Sequence, residues 1–193
     1  MLIPKVVFKY SWIYDQKFKK CIKTRNYPST KKIINYIKKV EKAWSKIDKV
    51  ILRELSKVSR LKWKSKFIYC YVVGKCAPFS DPLTLPVYKN LNYFIDVLIH
   101  ELIHQLFVQN SEETKKSWQY IHKKYNNESF TTRIHIPLHA FHSHIYLKFF
   151  DEKRLKQDIK RIKQLEDYRR SWEIVQSEGY EKIISEFVKR VKI

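Results

Sequence analysis

His100, Glu101 and His104, in the run His100-Glu101-Leu102-Ile103-His104, are the residues whose types and spacing best suit chemistry. On a helix, side chains four apart lie on one face, so His100 and His104 can both reach one metal ion. Glu101 points about 100° further round the axis, where it borders the metal without having to bind it. A carboxylate so placed can take a proton from a zinc-bound water. The H-E-x-x-H pattern therefore reads as a zinc site with its own general base. The alternative is a core helix with two hydrogen-bonded histidines, but Glu101 would then need a partner of its own in an apolar setting.

A catalytic zinc takes three protein ligands and keeps one position open. Four of the seven histidines fall close together, at His135, His139, His142 and His144. On a helix over 134–149, Ile134, Leu138, Phe141, Ile145 and Phe149 form an apolar stripe. His135, His139, His142 and Tyr146 form a second stripe beside it, and His144 falls off both. His139 is central in that row and is the expected third ligand, with His142 and Glu128 as alternatives. His135, or Tyr146, is the expected donor to a developing oxyanion. Proline favours the first helical turn, so this helix is expected to begin near Pro137, with His135 on the segment entering it.

The elements that must hold these residues follow from periodicity. Phe94, Val97, Leu98, Leu102, Leu106 and Phe107 keep a helical repeat away from the two motif histidines. Asn92 reads as its N-cap, and Asn110 with Ser111 as its end. Before it, residues 66–73 are β-branched and aromatic, hence a strand. Residues 74–81 read as a turn. Residues 83–88 read as a second strand that Pro86 confines to an edge, and an edge strand can capture an extended peptide. Residues 6–10 read as a short strand. A helix is expected from the capping pair Ser29-Thr30 to about Ser56, with Ile33, Ile37, Val40, Trp44, Ile47 and Ile51 as its seam. A charged helix from Asp151 carries Leu155, Ile159, Ile162, Leu165 and Trp172. Four-apart pairs, Glu152 with Lys156 and Glu166 with Arg170, support it until Gly179. A last helix covers 181–191.

Residues 97–106 resemble the active-site helix of the zincin metallopeptidases, and the later histidines resemble the subgroups that complete the site with a third histidine. The resemblance spans about residues 66–149 and is specific at the five-residue motif. It implies a zincin-like α+β fold, helix-rich, with a small sheet above the active helix whose edge strand binds substrate. It also implies bound Zn²⁺ and peptide-bond hydrolysis. No glycine or further histidine follows the motif directly, so the long metzincin signature is absent. Glu128, in Asn127-Glu128-Ser129, resembles the Asn-Glu of glutamate-completed zincins and is the rival third ligand.

Length and composition frame this reading. A chain of 193 residues suits one domain: a core over 62–149, a basic region over 1–61 and a helical extension over 151–193 that buttresses or covers the site. With two glycines and six prolines, long helices should dominate. Cys21, Cys70 and Cys76 lack zinc-ribbon spacing and cannot all pair within the chain. No apolar run reaches transmembrane length, and the Met1-Leu2-Ile3-Pro4 start meets Lys5 too soon for a secretion signal. A cytoplasmic protein without membrane contact is therefore expected. The net charge is +21, and residues 1–90 hold 22 Lys/Arg against 5 Asp/Glu. A basic half of this kind could hold nucleic acid or an acidic partner. The alternative function is thus a nucleic-acid-associated zincin-like protein, its peptidase activity directed at DNA-bound proteins or absent. Against it, Lys outnumbers Arg by 31 to 9, and base readers lean on Arg forks.

Overall fold

The computed structural model describes residues 2–22 and 24–192. Met1, Lys23 and Ile193, which the domain and N-terminal readings include, lie outside the described residues. The fold is α+β and helix-dominated, with a four-stranded mixed sheet. Among the described residues, no helix is long and apolar enough to cross a membrane. The chain divides into two compact units, residues 1–50 with 63–105 and residues 51–62 with 106–193.

The first unit contains the sheet. Strand β1 (Lys5–Lys9), helix α1 (Trp12–Cys21) and helix α2 (Thr30–Trp44) precede β2 (Phe67–Val73), β3 (Phe79–Ser80), β4 (Leu83–Pro86) and helix α4 (Leu91–Gln109), of which residues 91–105 belong here. The strand order is β1-β2-β4-β3, with β4 parallel to β2 and antiparallel to β3. Strand β1 runs parallel to β2 in the register Lys5↔Phe67 to Lys9↔Tyr71. Strict alternation splits the two faces. Val6, Phe8, Ile68, Cys70 and Val72 point into the core, where Phe8 meets Phe94 of α4 at 6.1 Å between ring centroids.

A buried carboxylate closes one end of this unit. Asp15 of α1 accepts from the Gly74 backbone N–H at 2.8 Å, the Tyr27 hydroxyl at 2.6 Å and the Tyr10 hydroxyl at 3.2 Å. Gly74 is required there, because a Cβ would lie 2.3 Å from Cε1 of Tyr27.

Three sequence expectations in this unit are corrected. The helix expected to run from Ser29 to about Ser56 is two helices: α2, capped by Ser29, stops at Trp44, and α3 (Asp48–Ser59) starts after a turn. The turn is closed by the Ile47 N–H on the Trp44 carbonyl, and Asp48, in the first turn of α3, puts a carboxylate at the helix's positive end. The hydrophobic repeat carried across the turn and concealed it. The strand with Pro86 is not the sheet's edge, since β3 pairs with its first half at Leu83 and Thr84. Pro86 lies beyond the reach of β3, where its missing N–H costs no bond on that side. Asn90, not Asn92, caps α4: its side-chain oxygen accepts from the N–H groups of Asn92 and Tyr93 at 2.8 and 3.3 Å.

The second unit is helical. After residues 51–62 and the end of α4 come α5 (Ser111–Lys124), α6 (Phe130–Phe149), α7 (Glu152–Ile162), α8 (Glu166–Glu178) and α9 (Tyr180–Val188). Asn110 joins α4 to α5 with its side-chain amide on the carbonyls of Leu106 and Lys62, at 2.8 and 2.9 Å. Phe107, Trp118, Phe141 and Phe187 form an aromatic core with ring centroids 5.2–5.9 Å apart. α8 and α9 pack along α6. The expected helix from Asp151 to Gly179 is broken: α7, capped by Asp151, ends at Ile162, and α8 follows at Glu166. The Glu152–Lys156 pair forms at 2.8 Å, whereas Arg170 bonds Glu128 and Glu173. The last helix ends at Val188, short of 191.

Candidate metal centre

His100, Glu101 and His104 occupy consecutive turns of α4 in the first unit. Phe94, Leu98 and Leu102 are fully buried, and this is why the helix forms where the apolar repeat places it. Both histidines are half-buried, with ring centroids 5.1 Å apart. Glu101 is only 5% exposed, and burial pushes its carboxyl up to about 8. Its charge is felt nearby. The Cys70 thiol is raised first by burial and then by Glu101, and the Cys76 thiol is pushed up to about 12 by burial, with Asp15 and Glu101 adding. Both thiols therefore stay protonated and are poor ligands or nucleophiles.

Tyr88, which the sequence pattern marks only as the end of a strand, is electrostatically coupled to the motif. Burial raises its phenol, and Tyr93, Cys76 and Glu101 add to that shift, so a neutral hydroxyl stands within electrostatic reach of Glu101. Only folding brings residues 88 and 101 together, and no local signal marks the pairing. Gln105, the residue after His104, donates through its side-chain amide to the Ser80 carbonyl, tying α4 to the outermost strand β3.

The histidine row lies on α6 in the second unit. Ser129 caps this helix by accepting from Thr132 N–H at 3.0 Å. The helix starts at Phe130 and takes Pro137 into its interior, so the expected start near Pro137 is corrected. Proline removes one donor from the ladder, and burial of most of the helix between His135 and Tyr146 outweighs that loss. His135 is therefore helical, and the two-stripe pattern holds: His135, His139, His142 and Tyr146 are all buried.

Each imidazole has its own setting. His135 places Nδ1 2.7 Å from the Thr131 carbonyl. A carbonyl can only accept, so Nδ1 carries the proton and Nε2 keeps its lone pair. Burial lowers the His135 pKa, partly opposed by the Thr131 bond and by Asp167. Tyr168 of α8 lies against its ring at 4.2 Å between centroids. His139 places Nδ1 2.7 Å from Ser171 Oγ, and the Ser171 hydroxyl itself donates to the Tyr168 carbonyl at 2.8 Å. His139 must then donate from Nδ1, and its ring stacks on Trp172 at 4.1 Å and 8°. His142 is held neutral, its pKa pushed down to about 3 by burial, with Arg154 adding. His144 turns away to Glu54 at 2.8 Å, which also takes Lys148 at 2.7 Å. Glu128, the rival third ligand, is gripped by Arg170 through bonds of 2.7–3.1 Å.

The α8 part of the C-terminal extension thus covers the histidine row, with Tyr168, Ser171 and Trp172 against His135 and His139. Comparison with known protein families, curated proteins and solved structures finds no match in any of the three.

Proposed function

We propose that the protein is a zinc-dependent metallopeptidase, with His100 and His104 as metal ligands and Glu101 as general base. One observation carries this reading: the His100 and His104 rings lie 5.1 Å apart between centroids on neighbouring turns of α4, with the buried Glu101 carboxyl beside them. Imidazole suits zinc. Among the histidines of α6, His135 has the tautomer of a ligating histidine, with Nδ1–H on a carbonyl and a lone pair on Nε2.

Within α6, His135 and His139 pack side by side at 5.5 Å between centroids. When bound, the zinc would lower the pKa of its water and polarise a substrate carbonyl. Glu101 would take a proton and return it to the leaving amine. Strand β3 is the outer strand on its side of the sheet and offers the edge for an extended peptide.

The test is hydrolysis of unfolded casein and a quenched-fluorescent peptide mixture by zinc-loaded protein, wild type beside Glu101→Gln. Loss of the general base should lower turnover roughly 10²–10⁴-fold while zinc stays bound. Equal turnover by Glu101→Gln, or no cleavage by the zinc-loaded wild type, would overturn the proposal.

A further inference from the structure

The sheet has a second face that the metal reading does not use. Opposite its core side, β1 presents Lys5, Val7 and Lys9, and β2 presents Phe67, Tyr69 and Tyr71, residue against residue in the parallel register. Helix α1 covers only part of this face. Tyr14 packs edge-on against Tyr71 at 5.4 Å and reaches the Thr84 hydroxyl at 3.0 Å. Phe67 and Tyr69 stay uncovered, 52% and 45% exposed. A sheet face with two large aromatic rings in water usually has a partner.

The arrangement of the rings says which kind. Phe67 and Tyr69 stand two residues apart on one strand, nearly parallel at 14°, with centroids 6.4 Å apart. That is close to twice the ~3.4 Å rise between stacked bases, a spacing that suits bases stacking on the two rings. Lys9, whose register partner is Tyr71, reaches over the Tyr69 ring with its ammonium 3.6 Å from the centroid. Lys5 stands beside Phe67. Flat aromatic faces flanked by ammonium groups match a chain that alternates bases with phosphates. Duplex DNA hides its base faces, so the match is to a single strand. Lysines without arginine forks bind phosphate but read no base edges, so recognition should tolerate any sequence.

We propose that this uncovered part of the sheet is a stacking platform for single-stranded nucleic acid, with Phe67 and Tyr69 taking bases and Lys5 and Lys9 taking phosphates. It is independent of the metal reading.

The experiment is fluorescence anisotropy of a labelled thymidine oligomer of about fifteen nucleotides, long enough to span one such face. Duplex DNA of the same length and vesicles containing phosphatidylserine are run alongside. The oligomer should bind more tightly than the duplex. Phe67→Leu with Tyr69→Leu keeps apolar area but removes the ring faces, and should weaken oligomer binding by roughly tenfold or more. Lys5→Gln with Lys9→Gln should reduce the salt slope of oligomer binding by about 1.4, near 0.7 for each lost phosphate contact. Glu101→Gln should bind the oligomer as wild type does, which separates this proposal from the peptidase reading. The rings are half in water, so circular dichroism should show both double variants folded. Equal binding of duplex and oligomer with no effect of the leucine pair would overturn the proposal in favour of diffuse lysine attraction. Vesicle binding retained by the leucine pair, with no oligomer binding by wild type, would overturn it in favour of a membrane surface.

Discussion

Helices α4 and α6 each carry two histidines four residues apart, in different surroundings. On α4, His100 and His104 are half-buried and flank a buried carboxyl. On α6, His135 and His139 are buried and each has Nδ1 committed, but to partners of different origin. The acceptor for His135 is Thr131, one turn back on the same helix, so its ring orientation is set locally. The acceptor for His139 is Ser171 of α8, with Trp172 stacked on the ring, so its orientation depends on tertiary packing. A locally fixed imidazole can present one nitrogen to a metal without help from another helix. An imidazole clamped by a second helix is better suited to holding that helix in place.

The largest effect expected concerns the unit that carries the α4 pair. Gly74→Ala should cost about 2–3 kcal/mol, because Tyr27 must swing out and leave buried Asp15 without its shortest bond. Chemical denaturation measures it. Adding Tyr27→Ala should make the further cost of Gly74→Ala small. If the alanine is equally damaging with Tyr27 gone, the close approach to that ring is not why Gly74 is required.

Ser171→Ala sharpens the contrast within α6. It leaves the buried His139 Nδ1–H without its acceptor and should lower stability by about 1–2 kcal/mol. Zinc affinity, measured by competition with a chromophoric chelator, should hardly change, because the α4 pair is untouched. A tenfold or greater loss of zinc affinity would make His139 part of the metal's setting and reverse the comparison.

His142 tests how dry the α6 row is. Burial holds its folded pKa at about 3 against an ordinary 6.5. Between those values the unfolded chain binds the proton and the folded chain does not. Stability is therefore intact above pH 6.5 and falls as pH drops below it, by up to about 1.4 kcal/mol per pH unit. His142→Phe should flatten this part of the stability–pH curve. An unchanged slope in the variant would assign the acid sensitivity to other groups.

These residues also show how far the sequence could be read. The α4 motif was legible because its geometry is local: a helical repeat sets His100, Glu101 and His104 on adjoining faces whatever surrounds them. The α6 row was legible as a row for the same reason. The setting of each imidazole within it was not, because the partners of His139 come from residues 171 and 172, far along the chain. Pro137 misled on the start of α6, since a preference for the first turn yields when the rest of the helix is buried. The breaks at 45–47 and 163–165 were hidden because apolar spacing continued across them. The edge position expected for Pro86 failed because β3, only two residues long, carries no strand signal of its own. Tyr88 and the Asp15–Tyr27–Gly74 contact likewise join residues that local patterns cannot connect.

The most direct test is zinc per chain by elemental analysis after gel filtration, for wild type, His100→Ala and His104→Ala. The account predicts about one zinc per chain in wild type and a large deficit in both variants. Variants that keep their full zinc, or a wild type that binds none, would contradict the assignment of the α4 pair as metal ligands.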